Sequence, residues 1–415
     1  MRAIRSALLT TSAHLSKILV GFFLLKLIAL YLGAEGLGVL GHFMSLVSIV
    51  TMLAGGGVVN GVIKFVAEYR FDQRKMLAFI SAAAVYSVVI CSVVLILGVC
   101  FSSNISVLLF DTDEFYWVVI FLAFAQLGFA FVNLVTGVCN GLGETKVFAK
   151  IQIVGSLLAF PLAWILVVNY GVAGAALAIT SVFLMGVFPA LFFCFRSSLS
   201  RRTRFSSVTS EDIKKLSVFT VMLLASAFTF PVVEIIVREF LIRNSGNSDA
   251  GLWQASIKLS GAYLGFFSVF LAYYFMPLIS PIKDKGIIFQ HVKKFMFLIM
   301  FIFSFGASIF YLWRDFFIVF LLSEDFSGLE DLIAFQLIGD FFKISSYVIG
   351  FVGVAKAASK LYIGAEIFQC ALFLGMAMLF GSFFDSVNGV FFGYMVTYMI
   401  YFALSLCVFL FWKRN

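Results

Sequence analysis

A set of ionisable side chains stands inside stretches otherwise apolar enough to sit in hydrocarbon, and any chemistry of this chain has to be sought among them. Lys17, Lys64, Lys150, Lys356 and Glu366 lie in the inner half of such stretches. Glu234, Asp340 and Lys343 lie near mid-depth, and Lys26, Arg238 and Lys258 toward the outer end. A central Lys, Arg or Asp costs roughly 3 kcal/mol to insert, so these groups should face a wet cavity or a partner. Bases outnumber acids and occur at several depths, a ladder on which a strongly anionic head group could cross. Arg suits phosphate through its planar fork and Lys as a point charge. Glu234 and Arg238 are four apart and Asp340 and Lys343 three apart, so each pair shares a helix face and can interact; Tyr347 lies on the second face. The same pairs could equally serve only to let a charged helix insert. Lys17, Lys64, Lys150 and Lys356 are also within reach of the cytoplasmic interface, where long side chains snorkel.

Other motifs are weaker. Pro231, just before Glu234, is expected to kink its helix and act as a hinge. The run Gly55-Gly56-Gly57, followed by Asn60 and Lys64, allows close helix approach or a local break, with close packing the favoured reading. His14, His42 and His291 lack metal-ligand spacing. The six cysteines (Cys91, Cys100, Cys139, Cys194, Cys370 and Cys407) all fall in apolar stretches and read as packed thiols. No nucleophile elbow, phosphate-binding Gly loop or metal cluster is legible, so no cofactor, metal or enzymatic chemistry is expected.

The elements that must position these residues are membrane helices. Of the 415 residues, 62% are hydrophobic and only 12% charged, with a mean hydropathy of +1.09, whereas soluble domains carry about 25% charge. Apolar stretches of the roughly 20 residues needed to cross a bilayer recur throughout. Expected spans are 8–32, 38–67, 76–100, 114–140, 148–169, 173–195, 216–243, 250–282, 288–313, 328–356, 361–383 and 388–412. The fold class is therefore an all-α polytopic membrane protein of about twelve transmembrane helices. A net charge of +8 raises a nucleic-acid partner, but the basic residues sit in alternate loops and not in one stripe with interleaved aromatics; no nucleic acid is expected.

One set of loops and ends holds Arg2, Arg5, Arg70, Arg74, Lys75, Lys146, the stretch from Arg196 to Lys215, Lys283, Lys285, Lys360, Lys413 and Arg414. The opposite set is acidic apart from Arg243 and Arg314. The Lys/Arg bias puts the first set, and both termini, in the cytoplasm. The basic stretch divides the chain into an N-terminal six-helix bundle (1–196), a cytoplasmic linker (197–215) and a C-terminal six-helix bundle (216–415). Three local matches suggest that the halves are repeats: AEGLGVLGHFMSL with SDAGLWQASIKL, TKVFAKIQI with SKLYIGAEI, and GVAGAALA with SVNGVFFG. The paired positions Gly38/Gly251, Lys146/Lys360 and Gly174/Gly389 stand 213, 214 and 215 residues apart. Both halves start inside, so the two bundles should be related by an axis along the membrane normal, an arrangement suited to rocking around a central cavity.

Three segments carry a family likeness: GGGVVNGVIKFVAEY (55–69), LGFFSVFLAYYFMPLIS (264–280), and FQLIGDFFKISSYVIGFVGVAKA (335–357) with its continuation LYIGAEIFQ (361–369). They resemble the Wzx-type flippases of Gram-negative bacteria, the O-antigen translocases and enterobacterial common antigen lipid III flippases of the multidrug/oligosaccharidyl-lipid/polysaccharide exporter superfamily. The likeness extends over essentially the whole chain. It implies movement of an undecaprenyl-pyrophosphate-linked oligosaccharide from the cytoplasmic to the periplasmic leaflet of the bacterial inner membrane, by alternating access and with ion coupling. It also implies a cationic central cavity, on which Lys26, Lys64, Arg238, Asp340, Lys343 and Glu366 would lie. Lys356 joins them from its depth. Lys258 stands where the family pattern requires no cation and is substrate-specific or only local. Glu234, Asp340 and Glu366 are the candidate ion-coupling groups. Partners implied are the lipid-linked oligosaccharide, the bilayer, and a polysaccharide polymerase with its chain-length regulator.

Two rivals remain. A small-molecule or multidrug antiporter of the same superfamily should have an acidic cavity, whereas this interior is mainly basic. A membrane polysaccharide polymerase needs a sizeable outer loop, and no outer loop here exceeds about a dozen residues.

Overall fold

Hydrocarbon offers no water to satisfy backbone groups, so an apolar spanning chain must close its hydrogen bonds internally. This chain does so in helices. The computed structural model describes residues 2–55, 57–196, 209–356 and 358–414, and no strand occurs among them. The first helices are α1 (Arg2–Leu53), α2 (Val59–Glu68), α3 (Gln73–Cys100), α4 (Ser102–Phe110), α5 (Tyr116–Gly141), α6 (Thr145–Leu184) and α7 (Val187–Arg196). Then come α8 (Ser210–Ser245), α9 (Asn247–Phe270), a π-helical turn (Leu271–Phe275), α10 (Met276–Ile279), α11 (Lys285–Leu312) and α12 (Arg314–Leu321). After a 3-10 turn (Glu324–Phe326) follow α13 (Leu329–Ala355), α14 (Ser359–Phe383) and α15 (Ser386–Arg414).

Every span expected from the sequence falls on helix, but the punctuation differs. Eight helical segments among the described residues are long and apolar enough to cross a membrane. Two of these, Leu9–Leu53 with 45 residues and Thr145–Phe195 with 51, run for about 68 and 77 Å at 1.5 Å per residue, twice the hydrocarbon thickness of about 30 Å. Loops were expected near 33–37 and 170–172. Instead a single glycine turns each chain, Gly33 (φ 64°, ψ −167°) and Gly171 (φ 54°, ψ −133°), in backbone regions closed to other residues.

The second expected span contains a correction. Its glycine run is a helix break: α1 ends at Leu53, α2 begins at Val59, and Gly55 and Gly57 have positive φ; Gly56 lies outside the described residues. The freed carbonyls find side-chain donors. Ser87 Oγ donates to Gly55 O at 3.0 Å, and Asn133 Nδ2 reaches Thr51 O and Ala54 O, each at 3.4 Å. Such polar rescue is what makes broken backbone tolerable at membrane depth. The eighth expected span is likewise interrupted, by the π-helical turn before Pro277, whose ring and missing N–H cannot be accommodated by ordinary α-helical pairing with Tyr273. Of the expected linker 197–215, residues 197–208 lie outside the described residues. The remainder already enters α8, whose first turn is capped by Thr209 Oγ1 accepting from Asp212 N at 3.2 Å.

The chain divides into two compact units, Met1–Tyr31 with His42–Pro231, and Leu32–Gly41 with Val232–Asn415. In the first, α5 is the central element. Val62, Phe65 and Val66 of α2 pack with Phe79, Ala82 and Ala83 of α3 and Val138 of α5 in one buried cluster. In the second, α13 is central. Its Ile344, Val348 and Val352 close a core with Leu264 and Phe267 of α9 and with Val292, Ile299 and Phe303 of α11. The short segment 32–41 reaches α9 through two glycines that the internal match pairs. A Cβ on Gly38 would lie 2.0 Å from Asn247 O, and one on Gly251 would lie 1.8 Å from Ala34 O. Both contacts lie within the second unit and admit no side chain at either glycine.

Candidate functional site

Four polar residues of α13, Gln336, Asp340, Lys343 and Tyr347, repeat at helical spacing along one face. Asp340 is fully buried. An isolated carboxylate there would be very costly, so its oxygens must be met by donors. Oδ2 accepts from Ser260 Oγ at 2.5 Å, from the Tyr263 hydroxyl, and from Gln336 Nε2 at 3.4 Å; Oδ1 accepts from Tyr394 OH at 2.6 Å. Ser260 and Tyr263 come from α9 and Tyr394 from α15. Lys343, also buried, donates to Tyr394 OH at 3.2 Å, and its Nζ lies 4.6 Å from the Tyr398 ring centroid. Asp340 and Lys343 thus share the Tyr394 hydroxyl besides acting on each other electrostatically. Tyr398 OH accepts from Gln369 Nε2 at 3.1 Å, extending the chain of contacts to α14. Gln336 Nε2 also donates to Ser260 Oγ at 2.8 Å, while its Oε1, buried, has no hydrogen-bond partner among the described residues.

A second cluster lies where α8 meets α9. Arg238 is fully buried. Its Nη2 donates to Gln254 Oε1 at 2.6 Å, and its Cζ lies 5.7 Å from the Trp253 ring centroid. Gly41 makes the room: a Cβ there would lie 2.3 Å from Arg238 Nε. Glu234, buried one turn earlier, interacts electrostatically with Arg238, and both act on the half-buried Lys258 of α9. Helix α9 therefore presents Gln254 and Lys258 to one charge cluster and Ser260 and Tyr263 to the other. Pro231 is buried inside α8, which continues through it from Ser210 to Ser245. The two compact units abut in sequence there, between Pro231 and Val232.

The other expected residues are dispersed. Lys356 Nζ donates to the carbonyls of Ile279 at 2.9 Å, Ser280 at 3.1 Å and Ile282 at 2.5 Å, closing the C-terminal end of α10. This is the contact a lysine makes when it caps a helix end. Glu366 is half-buried on α14, next to Tyr362 and Cys370. In the first unit Lys26 is half-buried on α1. Lys64 of α2 is exposed, with the exposed Asn60 one turn away and its Nζ 5.0 Å from the Phe65 ring centroid.

Ser260, Tyr263, Gln336, Tyr394, Gln254 and Trp253 were not singled out from the sequence. Polar residues at i, i+3 and i+4 spacing in apolar spans were the available signal: Ser260 with Tyr263, Gln336 with Asp340, Tyr394 with Tyr398.

Residues 3–283 match the family described as polysaccharide biosynthesis protein. The lipid III flippases of Escherichia coli (strain K12) and Shigella flexneri are each 30% identical over 419 aligned positions, covering 100% of both chains. Among solved structures, an inward-facing multidrug resistance MATE family transporter of the MOP superfamily has a TM-score of 0.79 at 15% identity, covering 96% of each chain. Lipid II flippase MurJ in an inward closed conformation has a TM-score of 0.75 at 14% identity, covering 97% of this chain and 87% of its own. At that identity these two share the fold. The full-length relatives are transporters and not enzymes, and the chain belongs with them to the polysaccharide biosynthesis protein family, in its Wzx-type flippase branch.

Proposed function

We propose that this protein carries an undecaprenyl-pyrophosphate-linked oligosaccharide, an O-antigen unit or the enterobacterial common antigen lipid III, from the cytoplasmic to the periplasmic leaflet of the inner membrane. The observation that carries this reading is the match to lipid III flippases along the entire chain. It works by alternating access, with twelve crossings in two six-helix bundles and both termini cytoplasmic. Lys26 and Lys64 offer positive charge to the pyrophosphate. Arg238, Lys258 and Lys343 act from the buried clusters, and Pro231 is the point about which α8 bends. Coupling to an ion runs through Asp340, with Glu234 and Glu366 as the further titrating groups. A polymerase and a chain-length regulator receive the product on the periplasmic side.

Complementation tests it. In strains each lacking one defined flippase, the chain should restore one surface glycan. Lys64→Ala should lower that restoration at unchanged membrane abundance. Restoration of none, with resistance to cationic drugs instead, would replace this reading with a small-molecule antiporter.

A further inference from the structure

Helix α11 has 28 residues and is the least buried of the eight spanning helices. It rises about 42 Å at 1.5 Å per residue, so about 20 residues suffice for the hydrocarbon and the remainder must project into a headgroup layer. Its first residues, from Lys285, project on the side that the Lys/Arg pattern makes cytoplasmic. Lys293 and Lys294 then stand at the inner edge of the hydrocarbon, the depth of lipid phosphates. Only one stripe of the helix, Ile288, Val292, Ile299 and Phe303, is buried in the second unit's core. Roughly a third of a turn away the outer surface of α11 carries a shallow, open groove of about 540 Å³, formed by its own Gln290, Lys293, Lys294, Met296, Phe297 and Met300.

The groove changes character along its length. At the cytoplasmic end are two exposed lysines, and among the described residues no carboxylate lies within 4 Å of either. Toward mid-membrane it is made of methionines, whose flexible thioethers conform to irregular apolar shapes, and of Phe297, which is 74% exposed and continues to Phe301 at 64%. The neighbouring cytoplasmic end of α15 adds cations without adding acids: Lys413 Nζ lies 3.7 Å from the Phe289 ring centroid, and Lys285 Nζ lies 5.2 Å from that of Trp412. Two point charges at phosphate depth above an adaptable apolar track match an anionic lipid and no soluble anion.

We propose that this groove is a binding site for an anionic phospholipid of the cytoplasmic leaflet, with the phosphate on Lys293 and Lys294 and the acyl chains along Met296, Phe297 and Met300. The occupant is a bulk lipid and not the transported one. The groove accommodates a headgroup and the first part of its chains, and beyond the two lysines Gln290 is the one polar side chain in its lining, too little to engage a glycan. The site is independent of the buried clusters that serve transport.

Delipidated full-length protein is titrated with phosphatidylglycerol, with phosphatidylcholine and with undecaprenyl phosphate, and thermal unfolding is followed. Phosphatidylglycerol should stabilise in a concentration-dependent manner, and phosphatidylcholine should not. Lys293→Ala with Lys294→Ala should weaken the phosphatidylglycerol response roughly 30-fold, since each cation near an anionic surface is worth about a factor of five. Lys293→Arg with Lys294→Arg should keep it, which separates loss of charge from loss of fold. Equal stabilisation by phosphatidylcholine, an unchanged response in the alanine variant, or a response to undecaprenyl phosphate alone would each overturn the proposal. None of these outcomes bears on complementation by the wild-type chain, which tests the transport reading separately.

Discussion

The hydroxyl of Tyr394 is hydrogen-bonded to both Asp340 and Lys343, so removing it is a sharp perturbation of the buried network. In Tyr394→Phe the ring keeps its place while the bond donated to Asp340 Oδ1 at 2.6 Å and the bond accepted from Lys343 Nζ at 3.2 Å are both lost. Hydrogen bonds to charged groups contribute about 1.5–3 kcal/mol each, and a charged group left unsatisfied in the interior costs more than the bond alone. Asp340 retains Ser260, Tyr263 and Gln336, so its loss is partial. Lys343 is 8% exposed and keeps the face of Tyr398, a cation–π contact of about 2 kcal/mol when desolvated. The net cost should be about 3 kcal/mol, a factor of roughly 150 in the folding equilibrium. Reversible unfolding of the purified protein would report it, beside a double-mutant cycle with Asp340→Asn. Coupling above about 1 kcal/mol is expected for residues in one network. Tyr398→Phe, which loses only the bond from Gln369, should cost about 1 kcal/mol. If Tyr394→Phe is as stable as wild type and additive with Asp340→Asn, the three residues are not one unit and the reasoning fails.

Two further outcomes are expected. Gly251→Ala should abolish complementation and cost about 3 kcal/mol or more, because its Cβ would lie 1.8 Å from the backbone oxygen of Ala34 and only separation of the two segments could admit it. Gly261→Ala, on the same helix with nothing within 4 Å, should be stable and active; equal behaviour of the two would remove the close-contact argument. In the first turn of α9, burial first and the charge of Asp385 second hold the Asp249 carboxyl above its usual range. Its folded value thus exceeds its unfolded one, so its contribution to stability is complete below about pH 3.9 and is lost as pH rises through the folded value. Asp249→Asn should flatten the acid side of the stability–pH curve and stabilise the protein at neutral pH; an unchanged curve would count against it.

Helix positions were legible because each apolar run leaves the backbone no alternative to helix. What hydropathy does not encode is how a helix ends. Gly33 and Gly171 turn the chain with one residue where loops were expected, and the Gly55–Gly57 run breaks a helix because Ser87 and Asn133, distant in sequence, supply the donors that make a break affordable. The buried network was half visible. Asp340 and Lys343 stood out as charges, but the hydroxyls of Ser260, Tyr263 and Tyr394 are common in apolar spans, and only the fold brings α9 and α15 against α13.

Burial also separates the cations that sequence alone treats as one ladder. A lysine can receive a pyrophosphate only by giving up the partners it already has. Lys356 would have to release three backbone carbonyls at the end of α10, and Arg238 would have to leave Gln254 and Trp253 with Gly41 pressed against its Nε. Each carbonyl so exposed costs about 1–3 kcal/mol if it stays dry, comparable to what a single phosphate contact returns. Lys64 differs in its surroundings, because its face of α2 is exposed together with Asn60. The buried cations therefore suit a different task from the exposed one. Arg238 ties α8 to α9 through Gln254 and Trp253, and Lys343 ties α13 to α15 through Tyr394 and Tyr398, so both are built into the packing of helices against one another.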